Sequence, residues 1–250
     1  MLLHNAKGGY SFLRGIAPYS AGVVSDSGFE IVHARFRRPV PFDRGFELAC
    51  KHVVAAGRPV QGLCAMELRS PEPYSFSGFD AFNARYAALL RGTQLFLDGD
   101  NPIARTNVAP AIGAPAEPSL YAFSYTAPCG GALPRTFVVA GGGELPEGSL
   151  NPNAVIRRGE ISADALAEKV RFVMGLMTNR LDGLGVSWDL ATVTGVYTVH
   201  PICALLEREI VKPMKGALHG ALWHYARPPI VSIEYEMDVR GCRRELVIEI

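Results

Sequence analysis

The feature that most constrains this chain is an order of elements that runs twice. FEIVHARF (29–36) reads as a strand. Residues 41–57 follow as a helix, with apolar side chains at 46, 49, 50, 53 and 54. QGLCAMEL (61–68) is a strand, and FDAFNARYAALL (79–90) a helix striped by Phe79, Phe82, Tyr86 and Leu89. ARTNVAPA (104–111) and SLYAFSYT (119–126) close the first half as strands. The second half repeats the order. TFVVAGGGEL (136–145) is a strand, and 161–181 a helix with Ser162 as its N-cap and Leu166, Val170, Val173, Met174, Met177 and Leu181 as its buried stripe. ATVTGVYTV (191–199) is a strand, and 201–214 a helix with Pro in its first turn. PIVSIEYEM (229–237) and RELVIEI (244–250) are strands.

Both halves thus read β-α-β-α-β-β. Phe46 and Leu166 lie 120 apart, Phe79 and Ile202 123 apart, and the Ala104-Arg105 pair recurs 122 positions on, at Ala226-Arg227. Three features at nearly one offset predict an α+β tandem repeat, with the helices on one face of each sheet. The Pro/Gly stretch APCGGALP (127–134) marks the turn between them, giving domains at 1–128 and 129–250. At 250 residues the chain has room for two such units.

Composition narrows the function classes. The net charge is +1, and no basic stripe interleaved with aromatics is present, which speaks against nucleic acid as partner. No run approaches the roughly 20 apolar residues of a membrane span, and the N-terminus has no signal-peptide pattern. The five cysteines form no CxxC pair, as expected of free thiols in the cytoplasm, with Cys64 and Cys203 placed in the core. No metal site is expected: His219 and His224 are five apart, off the i, i+4 spacing that puts two ligands on one helix face. The GGG at 141–143 fits neither a phosphate loop nor a dinucleotide fingerprint and reads as a turn.

At the level of motifs the chain resembles the Rid/YjgF family of reactive-intermediate deaminases. APYSAGVVSDSGFEIVHA (17–34) is similar to that family's opening segment, FDAFNARY (79–86) to its second-helix motif and ARTNVAP (104–110) to its "ARxxV" strand entry. In the second half FVVAGGGEL resembles its "VFVSGQ" and LVIEI its closing "VEIE" strand. The resemblance implies a chorismate-mutase-like fold in each half, a homotrimer, and a cleft for a small carboxylate-bearing substrate that needs no cofactor. It implies roles for Tyr19, Asn83 and Arg105, and for Asn107 where many members carry cysteine. In the second half it implies Glu249 as the acid and Gly141 as the turn glycine, with Arg227 matching Arg105 by offset.

Each half keeps what the other has lost, so a site shared between halves is expected. A guanidinium (Arg105 or Arg227) would hold a carboxylate, Glu249 would move a proton, and backbone N–H groups near Gly141 would hold developing charge. Tyr19, Asn83 and Asn107 would orient the substrate. Each has a structural alternative: Arg105 could tie a strand to a helix end, Asn83 could be a satisfied interface amide, and Glu249 could be a solvated end. The resulting expectation is a Rid-like deaminase or hydrolase acting on a small imine, enamine or related unsaturated acid. The alternatives are a chorismatase-like hydrolase and a non-catalytic ligand-binding protein.

Overall fold

The computed structural model describes residues 1–131 and 133–250. Helix spacing and caps come out as the residues dictate. α1 (Phe42–Ala55) buries Phe42, Gly45, Phe46, Ala49 and Val53, one side of a 3.6-residue period. α2 (Phe76–Arg91) starts at Ser75, whose side chain accepts from the Gly78 N–H, and buries Phe79, Phe82, Tyr86 and Leu90 together with Asn83. α3 (Ala163–Leu184) is capped by Ser162 and ends on Gly185 at φ 68°, a left-handed residue that costs glycine nothing. α4 is three residues (Cys203–Leu205) running into a π-helical turn, Leu206–Val211.

The strands are β1 (Leu2–Asn5), β2 (Tyr10–Leu13), β3 (Gly22–Ser25), β4 (Phe29–Pro41), β5 (Leu63–Arg69), β6 (Ala104–Pro110) and β7 (Ser119–Pro128). Then come β8 (Phe137–Gly143), β9 (Val193–Tyr197), β10 (Leu222–His224), β11 (Ala226–Arg227), β12 (Glu236–Gly241) and β13 (Arg244–Ile248). They form two mixed sheets, ordered β1-β2-β3-β8-β12-β9-β10 and β11-β6-β5-β7-β4-β13.

This corrects the expectation of a tandem repeat of chorismate-mutase-like domains. Each sheet takes strands from both halves: β3 pairs with β8 (Val23 opposite Val138), β13 lies parallel to β4 (Leu246 opposite Ala34), and β11 pairs with β6. The chain is a mixed-sheet fold with two sheets and four α-helices among the described residues. Two local readings also shift. The second helix of the second half is α4 and its π-turn. The strand placed at 229–237 begins only at Glu236, with Val231 exposed in the loop before it. The strands β1–β3 escaped the sequence reading because runs of four residues are too short to declare a period.

α1 and α2 cover the outer face of the six-stranded sheet, and α3 that of the seven-stranded sheet. The inner faces meet over Tyr10, Phe12, Val23, Ile31, Ala104 and Ala140. Each buried aromatic or branched side chain in these layers contributes about 1.5–3 kcal/mol. β12 shows how the layers sort side chains. Tyr235, Met237 and Val239 join the core under α3, while Glu236, Asp238 and Arg240 alternate onto the inner face. There Asp238 accepts from Thr106 Oγ1 on β6 at 2.8 Å and from the Tyr197 hydroxyl at 3.0 Å. Of the cysteines, Cys64 is buried as expected but Cys203 is exposed, because α4 presents it outward; all five are free thiols. No described helix is long and apolar enough to cross a membrane.

Candidate active site

Where the sheets part near α2 and α3, a cleft of about 660 Å³ opens to solvent. Arg105, on β6, stands at its floor, 3% exposed. Its side chain points toward the helix layer, where Nη2 donates to Asn83 Oδ1 at 2.7 Å. This accounts for the lone asparagine on the apolar stripe of α2: it holds a buried guanidinium. The rings of Tyr19 (4.3 Å) and Tyr86 (4.5 Å) pack on the same group. Burial lowers its pKa, opposed by Tyr19, Tyr86 and Glu236, yet an arginine stays charged. Its Nη1 has no protein partner. Asn107, on the same strand, is held through Oδ1 by Ser70 Oγ at 2.9 Å, and its Nδ2 likewise has no partner. Buried donors left free at a cleft wall match the acceptors of an anion.

Opposite them sits Glu236, the first residue of β12, 4% exposed. Burial pushes its pKa well above the usual carboxylate range, and neighbouring Asp238 adds to the rise; Arg180 and Arg105 pull the other way. Burial at this place biases the carboxyl toward its neutral form. The backbone leading to it is fixed by Glu144, which accepts the Glu234 N–H at 2.7 Å and the Tyr235 N–H at 3.1 Å. Glu144 is itself paired with Lys169 of α3 at 2.9 Å, both fully buried.

Arg180, also on α3, reaches the cleft from the other side. It grips Glu147 in a two-pronged pair, Nε to Oε2 at 2.8 Å and Nη2 to Oε1 at 2.9 Å, and donates to the Ala140 carbonyl at 2.8 Å. Gly141 and Gly142 lie between Arg180 and Glu236 on β8. They form strand, not the turn expected of GGG, and a side chain there has no room. A Cβ at Gly141 would collide with Glu236 Oε1 and come within 3.1 Å of Thr106 Cγ2. Gly141→Ala is therefore expected to displace the Glu236 carboxyl and cut turnover severely with only a modest loss of stability. Activity and thermal-melt measurements on the one variant check both halves of that statement.

The cleft gathers Tyr19, Arg105, Asn107 and Gly141, with Asn83 directly behind Arg105. It does not gather Glu249 or Arg227. Glu249 lies past the end of β13, its side chain 69% exposed and paired with Arg37 at 3.0 Å. Arg227, on the two-residue β11, is exposed at the sheet edge opposite Ala109. The site expected to be shared between the halves does not take in these two residues, because β13 and β11 join the edges of the six-stranded sheet.

Glu236 and Arg180 are the residues that the sequence reading passed over. The signal for Arg180 was present: it falls seven residues after Val173, on the buried face of α3. Glu236 gave a misleading one. In EYEMDV the charged residues alternate with apolar ones, which normally marks a solvated strand face.

A buried guanidinium faces a buried carboxyl across a cleft between two sheets, an arrangement able to hold an anion and move a proton. The chain belongs to the CnbZ 2-aminomuconate deaminase family, whose model it matches over residues 2–246. It is 42% identical over 243 residues to a 2-amino-5-chloromuconate deaminase of Comamonas testosteroni, covering 96% of each chain. The motif resemblance to Rid/YjgF proteins is thereby corrected: short segments matched, but a whole-length match goes to this other family. Among solved structures, a chorismatase aligns over 89% of this chain and 77% of its own, at 10% identity and a TM-score of 0.43. A cyanuric acid hydrolase aligns over 88% and 69%, at 12% identity and the same TM-score.

Proposed function

We propose that this protein deaminates a 2-aminomuconate-type substrate, an enamine conjugated to carboxylates, by hydrolysis. The observation that carries the reading is Glu236, a buried carboxyl in the same cleft as a guanidinium with a free donor, its pKa pushed up by burial. Arg105 takes the carboxylate beside the amino-bearing carbon, through Nη1. Arg180, already committed to Glu147, lies on the side where the distal carboxylate would end. Phe79, Ile230 and Ile233 give the apolar wall that a flat hydrocarbon chain requires.

The enamine first shifts a proton from nitrogen to carbon, becoming an imine. Glu236 protonates the imine nitrogen, and water adds to the carbon. The Glu236 carboxylate takes a proton from that water. Glu236 then protonates the amino nitrogen of the carbinolamine, the C–N bond breaks to release ammonia, and the hydroxyl proton returns to Glu236 as the carbonyl of a 2-oxo acid forms. Substrate plus water balances product plus ammonia, and each proton lent by Glu236 returns to it.

Incubation of the protein with 2-aminomuconate should release one ammonia per molecule, while the conjugated enamine absorption gives way to that of the 2-oxo acid. Because burial favours the neutral carboxyl, turnover should persist above the pH at which ordinary carboxyl groups ionise, and fall as pH rises through the raised Glu236 pKa. Absence of ammonia release would sink the reading. A chorismatase-like hydrolase is the second reading; it would use the same acid and guanidinium, but would cleave an enol ether and release no ammonia.

A further inference from the structure

A second cleft opens between β10 and β13, the free edges at one side of the two sheets. It measures about 530 Å³, and it shares no lining residue with the first.

Its wall carries cations that the protein leaves partly unused. Arg69, its side chain 8% exposed, gives Nη1 to its own neighbour's carbonyl, Leu68 O, at 2.9 Å. Its other arm stands 3.5 Å from Glu67, long for a charge-assisted bond, which normally closes to about 2.7–2.9 Å. Arg240, by comparison, closes on Glu245 at 3.0 Å. Arg35 donates only to the Tyr121 hydroxyl, at 3.3 Å, and pairs with no carboxylate among the described residues.

The flanks are flat. The Arg69 guanidinium lies 4.1 Å over the Tyr121 ring, and the His224 ring is stacked on Tyr197 at 4.9 Å. Burial lowers the pKa of both His33 (to about 4) and His224, so neither adds positive charge at neutral pH. Glu67, Glu245 and, one layer deeper, Asp238 are the carboxyl groups facing this region; Arg240 is engaged with the first two. That leaves Arg69 and Arg35 as the cations with donors to spare.

We infer that this cleft is a second ligand site, for a small planar carboxylate, held by Arg69 and Arg35 and flanked by the rings of Tyr121 and His224. A conjugated acid lies flat against such rings, as a flexible chain does not, and the guanidinium pair supplies the anion contact. The inference is independent of the deaminase reading, since no residue of the first cleft takes part.

The test is calorimetric titration with sorbate, which has one carboxylate on a planar conjugated chain, run on the intact protein. Arg105→Ala removes the anion contact of the first cleft and should leave a sorbate site of unchanged affinity. Arg35→Gln, at an exposed position, should weaken that site about tenfold, the loss expected for one hydrogen bond to a charged group. Tyr121→Phe should weaken it less, and hexanoate should bind worse than sorbate. If Arg105→Ala fails to fold, Gly141→Ala, which crowds the first cleft, serves instead. Sorbate affinity unchanged in Arg35→Gln, sorbate binding abolished by the first-cleft variant, or no binding at millimolar sorbate would each overturn the second site.

Discussion

Glu236→Gln is expected to abolish most of the turnover, lowering kcat/KM by about 10²–10⁴-fold, the usual contribution of a placed acid–base group. The amide keeps the shape of the carboxyl and can still donate a hydrogen bond, but it cannot give up a proton and recover it. Because burial favours the neutral form of the wild-type carboxyl, a neutral amide is a close substitute for it. The variant should therefore fold and melt close to wild type. Residual activity should lose the alkaline decline assigned to Glu236. Glu249→Gln, at the exposed chain end, is the matched control and should retain full activity. Retention of activity by Glu236→Gln would remove the acid from the proposed mechanism, whatever the substrate.

Lys169→Met is expected to be the most destabilising single change outside the apolar core. It leaves Glu144 buried with no countercharge, in a place where both partners are fully shielded from water. Breaking a buried pair from one side costs about 3–5 kcal/mol. For a protein of this size that lowers the melting temperature by about 6–20 °C. Burial already raises the Glu144 pKa, with Lys169 and the backbone N–H of Glu234 opposing the rise. Without the lysine, Glu144 should bind a proton, and the loss should shrink as pH falls. Adding Glu144→Gln to Lys169→Met should recover part of the stability, because the orphaned charge is gone while one acceptor for the Glu234 and Tyr235 N–H groups remains. Thermal melts of the two variants at several pH values check this. A Lys169→Met melt indistinguishable from wild type would show that the pair contributes nothing net.

The two variants separate layers of the design. Lys169 fixes Glu144, Glu144 fixes the start of β12, and β12 presents Glu236. A loosened β12 should lower activity as well as stability in Lys169→Met, whereas Glu236→Gln lowers activity alone.

The sequence by itself determined what local periods and caps can determine. The stripe Phe79, Phe82, Tyr86 makes α2, the cap at Ser162 starts α3, and the apolar-rich runs at 29–36, 61–68, 104–111 and 119–126 make β4–β7. Of the residues the motif resemblance singled out, Tyr19, Arg105 and Asn107 line one cleft, with Asn83 bonded to Arg105 behind it. Tertiary structure decided the rest, because strand pairing is a long-range choice that a strand's own residues leave open. β3 reaches across to β8, and β13 reaches back to β4, so neither half closes alone. That exchange carries Glu249 to an exposed edge and turns the charged side of β12 inward. Glu236 looks like a solvated strand residue in the sequence; only the opposing sheet takes it out of water, and that desolvation raises its pKa.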